Sequence, residues 1–182
     1  LQERLSKMSF SVTKEEAGLN LPDKVRSITE IQMGEYQADV YNRLQAQLAI
    51  EIEDKLSGDV VDEVTVNNVL TMLLRLAQVT SGFITYDAKF DEDGKVISPK
   101  RLEELSPDNP KVNAIIERLT DPDRDPKAKA IVWCAFVHNI HRVGAELTKH
   151  GIKHGLYYGQ TSQNDRELLV DAFNNDHEFK VL

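Results

Sequence analysis

Gly159-Gln160-Thr161-Ser162, followed by Gln163 and Arg166, is the stretch of this chain best suited to hold an anion. Glycine lets a second backbone come close, and Gln160, Thr161 and Ser162 bring hydrogen-bond donors. A helix starting just after them would turn its positive end toward a negative group. Arg166 falls one turn into that helix, with Gln163 on an adjacent face. The same pattern has an ordinary structural meaning, in which Thr161 or Ser162 caps a helix and Arg166 sits in a surface ion pair. The residues alone leave both readings open. His138 and Asn139 follow an apolar run at what would be the same sheet edge, where either can hydrogen-bond a phosphate or sugar. His138 can equally cap or pack.

Other chemistry finds less support. His138, His141, His150 and His154 crowd one stretch, but a zinc site needs ligands that converge. His138 and His141 share a helix face while His150 and His154 fall at its far end, so no metal site is expected. Cys134 reads as a buried strand residue without an activating neighbour, and Trp133 beside it as core rather than a stacking platform. Asp91-Glu92-Asp93 reads as a solvated hairpin tip, since the calcium-loop spacing is absent. No acid, base or nucleophile set gathers near Gly159–Thr161, which disfavours a small enzyme acting there. No catalytic residue is assigned.

The elements that must position these residues follow from periodicity. Lys129–Ala135 is a near-continuous apolar run, the mark of a parallel strand buried on both faces. Phe136, Ile140, Val143 and Leu147 keep helical spacing up to Gly151, and His154–Tyr158 is the next strand. A helix with Leu168, Leu169, Ala172 and Phe173 inward leads to a third strand at Phe179–Leu182. This βαβαβ order predicts a parallel α/β sheet with right-handed crossovers.

Upstream, Lys24–Met33 can be a strand after the Leu21-Pro22 break. Tyr36, Val40, Tyr41, Leu44, Leu48, Ile52 and Leu56 set a helical stripe that stops at Ser57-Gly58. A second helix spans about 65–80, with Val66, Val69, Leu70, Leu73, Leu74 and Ala77 on one face and Gly82 ending it. Phe83–Tyr86 and Lys95–Ile97 bracket the Asp93-Gly94 turn signal. Asn109-Pro110 starts a helix over 111–119, and Asp121–Pro126 is a linker.

The chain has 182 residues, 41% apolar and 29% charged, with net charge −8 and one cysteine. That suffices for a globular core and excludes an internal disulfide. No apolar run is long enough to span a bilayer, and no signal peptide is visible. The negative balance argues against a grip on nucleic acid over the whole surface and leaves room for a local contact. The chain starts at Leu1 and ends on Phe179-Lys180-Val181-Leu182, a strand just begun, so a piece of a longer protein is expected.

The strings KAIVWCAFVHNI, HGLYYGQTSQNDRELLVDAFNN and FKVL resemble the start of the second lobe of Swi/Snf-type members of helicase superfamily two. FSVTKEE, LNLPDK, a helix holding Gln37 and Tyr41, and LLRLAQVTSGF precede them in that family's order. Ser11-Val12 departs from the arginine many relatives carry there. The Gln163-x-x-Arg166 spacing is one that DEAD-box relatives use on a nucleic-acid backbone. The lack of long insertions is more similar to phage and bacterial members than to eukaryotic remodellers.

The resemblance implies a RecA-like α/β fold. Residues 1–33 would end a first lobe, 34–126 would form a helical protrusion with hairpin and linker, and 127–182 would be the first half of a second lobe. It implies a parent that translocates on duplex DNA with ATP and Mg²⁺, in a bacterial or phage-infected cytoplasm. The implied DNA contacts are Gly159, Gln160, Thr161, Gln163, Arg166, His138 and Asn139. No P-loop and no acidic Mg²⁺ box occur in these 182 residues, so the expected share of the work is backbone contact and coupling of lobe motion, without ATP hydrolysis or a bound cofactor. The implied partners are the rest of both lobes. The competing expectation is a non-catalytic interaction module on the Tyr36–Thr80 helix pair, which an exposed apolar stripe would favour.

Overall fold

The computed structural model describes residues 12–14, 16–18, 23–56 and 63–182. The Leu21-Pro22 break, the Ser57-Gly58 stop and the burial of Ile52, Leu56 and Val66 lie outside the described residues. The chain divides into two compact units, Leu1–Glu30 and Ile31–Leu182. In the first, Thr13 and Glu16 form a reciprocal cap. The Glu16 amide donates to Thr13 Oγ1 at 3.2 Å, and the Thr13 amide donates to Glu16 Oε2 at 2.8 Å. These bonds hold the Glu16 carboxyl below its usual range. The expected strand at Lys24–Met33 does not form: 23–33 joins no strand ladder among the described residues, and Val25 and Ile28 stand exposed. A strand needs a neighbour to satisfy its backbone groups, and no described segment supplies one.

The second unit begins with helix α1 (Glu35–Leu56) packed on α2 (Glu63–Thr80). Gln37 is buried, and its Nε2 donates to the Val79 carbonyl at 2.6 Å. Val79, Ile84 and Leu105 form a core against Val40, Tyr41 and Leu44. The face α2 buries differs from the expected one. Leu76, Gln78 and Val79 point inward, whereas Leu70, Leu73 and Leu74 are exposed. The inward series Val69, Met72, Leu76 and Val79 and the exposed series Leu70, Leu73 and Ala77 both repeat at three- and four-residue steps, so periodicity alone could not choose between them.

Gly82, at φ +91°, ends α2 in the left-handed region, as expected. The hairpin that follows is longer than the turn signal implied. Strand β1 (Phe83–Tyr86) pairs antiparallel with β4 (Arg101–Glu104), and β2 (Lys89–Phe90) pairs with β3 (Val96–Ser98) around the tip. At the tip Asp91 Oδ1 accepts the amides of Asp93 and Lys95 at 3.1 and 2.7 Å, so this carboxylate shapes the turn. Asn109 caps α3 (Pro110–Thr120), accepting from the Lys111 and Val112 amides.

Helix α3 packs on α4 (Val137–Lys149), and Val112, Ile116, Val143, Leu147 and Val181 share one core. The α/β order is the expected one. The segment around Val181 lies between those around Ala130 and His154, parallel to both. Backbone bonds at 2.8–3.1 Å tie it to each. A right-handed crossover outward and another back must put α4 and α5 (Gln163–Asn175) on opposite faces. The side chains agree: a Cβ on Gly144 of α4 would meet Leu156 and His154, while one on Gly155 would meet Leu169 of α5.

Two expectations fail on this sheet. Residues 131–137 alternate between exposed and half-buried, and Trp133 is 91% exposed rather than core. Helix α4 covers the face carrying Val132 and Cys134, and nothing described covers Ile131 and Trp133 on the other. Leu168 of α5 is likewise 67% exposed, while Leu169, Ala172 and Phe173 are half-buried.

Candidate nucleic-acid interface

From the His154 segment the chain runs through Tyr157 and Tyr158 and turns at Gly159–Ser162 into α5. Thr161 closes the turn. Its amide donates to the Tyr158 carbonyl at 3.0 Å. Its hydroxyl accepts the Tyr158 amide at 3.0 Å and donates to the Leu156 carbonyl at 3.2 Å. Ser162 is the N-cap, accepting the Asp165 amide at 3.2 Å and donating to Asp165 Oδ2 at 2.7 Å. Both hydroxyls are thus engaged within the protein.

Arg166 forms no ion pair among the described residues. Its Nε donates to the Thr161 carbonyl at 3.0 Å and its Nη2 to the Tyr158 carbonyl at 3.2 Å, with the guanidinium 5.2 Å from the Tyr157 ring centroid. The arginine therefore shapes the turn while adding one positive charge to it. Gln163 is spent on Glu167, donating at 3.2 Å.

Gly159 and Gln160 remain open to solvent. A Cβ on Gly159 would meet no atom within 4 Å, and the Gln160 side chain has no partner among the described residues. The amides of Gln163 and Asn164, at the first turn of α5, lack an intrahelical acceptor. Positive side-chain charge is sparse, because Arg166 is the one Lys or Arg between His154 and Phe179, and Asp165 and Glu167 flank it. The turn can offer neutral donors and a helix end to a phosphate, reinforced by a single cation.

His138 and Asn139 are engaged elsewhere. His138 Nε2 lies 2.6 Å from Glu104 Oε1, and its ring tilts against Phe83 with centroids 4.6 Å apart. Asn139 Nδ2 donates to the Ser81 carbonyl at 3.0 Å, and its Oδ1 is buried without a partner among the described residues. No hydrogen bond or ring contact joins either residue to Gly159–Arg166. His141 is the α4 residue that reaches the turn, its ring edge-on to Tyr158 at 5.0 Å. Tyr157 and Tyr158, which seat Arg166 and Thr161, were not legible as site residues. Their role is carried by position at the end of the segment, and residue type gives no hint of it.

Comparison with known proteins bears on this region. Residues 110–182 match the helicase conserved C-terminal domain. The matched region starts at Pro110, the first residue of α3, and holds the whole parallel sheet and the Gly159–Arg166 turn. Over 72 residues the chain is also 31% identical to the "Probable ATP-dependent RNA helicase ddx5" of Dictyostelium discoideum, a match covering 40% of this chain and 10% of that protein. The chain thus spans about a tenth of the curated relative it matches. No solved structure matches it. The mixed α/β fold of this segment is consistent with a partial RecA-like helicase C-terminal domain. Among the described residues, no helix is long and apolar enough to cross a membrane.

Proposed function

We propose that this chain is part of an ATP-dependent nucleic-acid translocase of the Swi/Snf type, and that it touches the sugar-phosphate backbone of duplex DNA through the Gly159–Arg166 turn. The observation that carries this reading is the open ground over Gly159 and Gln160, beside the free first amides of α5, at the carboxyl end of a parallel strand. Thr161 and Arg166 hold that ground in shape, and Gln163 flanks it. His138 and Asn139 act in this reading through α4, as anchors of the helix. The nucleotide and Mg²⁺ would be held by parts of the parent other than these 182 residues.

The test is anisotropy titration of a labelled duplex DNA with the chain and with Gly159→Asp. That change adds bulk and negative charge on the open side and disturbs no internal contact. A loss of tenfold or more in affinity supports the reading, and unchanged affinity contradicts it. An equal titration with single-stranded RNA is the second arm, because the matched relative is by name an RNA helicase.

A second reading, the interaction module on α1 and α2, is favoured by the exposure of Leu70, Leu73 and Leu74 along one helix face. It predicts that Gly159→Asp leaves every binding property unchanged while Leu73→Asp abolishes association with a protein.

A further inference from the structure

The short turn after α2, Ser81–Phe83, gathers tertiary contacts from three other elements. The Ser81 carbonyl accepts from Asn109 Nδ2 at 2.8 Å and from Asn139 Nδ2 at 3.0 Å, so one oxygen ties α2 to both α3 and α4. Gly82 is required twice over: its φ is +91°, and a Cβ there would overlap the Asn109 side-chain amide. Phe83 is buried edge-on against Phe136 at 5.3 Å, just ahead of α4. Opposite Phe83 in the β1–β4 register stands Glu104, whose carboxylate receives both His138 and Arg142 of α4. Arg142 then continues to the Ser106 and Pro107 carbonyls.

We infer that the Ser81–Phe83 turn and Glu104 form a rigid clamp on the first half of α4, so that the α1–α2 pair, the hairpin and the parallel sheet turn as one body. The covalent link at Asp121–Pro126 is not a hinge between them. His138, Asn139 and Arg142 occupy one side of a helix, and together they hold three points: the Glu104 carboxylate, the Ser81 carbonyl and the adjacent Ser106 and Pro107 carbonyls. Three points fix an orientation where one would leave a pivot. Any displacement applied to α1 or α2 is delivered to α4 and, through Tyr158 against His141, to the Gly159 turn. The clamp's use in a motor rests on the proposed function; the clamp itself does not.

The test needs no nucleic acid, so its failure is distinct from a failure of DNA binding. Spin labels are placed at exposed Gln45→Cys in α1 and Asn174→Cys in α5, in a Cys134→Ser background that leaves no other thiol. A single narrow distance is expected for the otherwise unaltered chain; a broad or two-peaked distribution overturns the clamp. Inserting two glycines after Asp123 should leave that distance narrow, because the linker does not set the orientation. Broadening on insertion overturns the inference. The pair Glu104→Ala and Asn139→Ala should at least double the width with helicity retained, and an unchanged width in that folded variant contradicts it.

Discussion

Arg166 fastens the turn that precedes its own helix, donating Nε to the Thr161 carbonyl and Nη2 to the Tyr158 carbonyl while lying over the Tyr157 ring. Two planar N–H groups meet two backbone oxygens, a job a lysine ammonium does poorly because it cannot span both in one fixed fork. The residue is therefore part of the turn's frame, and in the proposed function its charge would reach a phosphate from within that frame.

Replacing Arg166 with lysine should lower stability by about 1.5–3 kcal/mol, the range for hydrogen bonds to a charged group. Urea denaturation followed by circular dichroism measures this. The salt dependence of DNA binding should change little, because one cation contributes a log–log slope of at most ~0.9 and lysine keeps the charge. A variant as stable as the parent would show that the two carbonyl contacts are not formed in solution.

Gly82 and Gly159 predict opposite responses to the same change. Alanine at Gly82 meets both a left-handed backbone and the Asn109 side chain, and should cost about 2–4 kcal/mol by strain and overpacking together. Alanine at Gly159 meets open space at an ordinary φ and should fall within about 0.5 kcal/mol of the parent. Thermal melts of the two variants side by side test the contrast. Equal melting temperatures would remove the argument for the Ser81–Phe83 joint.

The single tryptophan reports on the uncovered sheet face. Trp133 is 91% exposed, so its emission should be red-shifted and readily quenched by acrylamide in the native chain. Trp133→Ser should change stability by less than about 0.5 kcal/mol, as surface substitutions do. A blue-shifted, protected emission would mean that face is covered in solution.

Cys134, one residue further, faces the other way and packs with the α4 core. Burial pushes its thiol above the ordinary range, so the folded state favours the neutral form. Alkylation at pH 8 should then be slow in the native chain and speed up on unfolding. Because the folded thiol holds its proton more tightly, this group leaves stability unchanged below the ordinary thiol range. Stability should decline as pH rises past it. Native alkylation as fast as in urea would contradict the burial.

The α/β order and the cap at Asn109 were legible because Gly, Pro and Asn carry their meaning locally. The same holds for the start of α5 at Ser162. What was not legible depended on neighbours. Leu70, Leu73 and Leu74 form as good a stripe as Leu76 and Val79, and the buried one is chosen by where Gln37 and Ile84 sit. Ile131 and Trp133 read as core because an apolar strand cannot say which of its faces is covered. His138 and Asn139 have the right chemistry for a phosphate, but Glu104 and the Ser81 carbonyl, far off in sequence, take them first.

The most direct test of a backbone contact at Gly159–Arg166 is the affinity of the chain for duplex DNA as a function of salt, measured alongside Gly159→Asp. Neutral donors, a helix end and one cation predict weak binding with a shallow log–log slope, near 1 per phosphate neutralised, and at least a tenfold loss in the variant. Binding that is unaffected by Gly159→Asp, or that survives it with the same slope, would contradict the account.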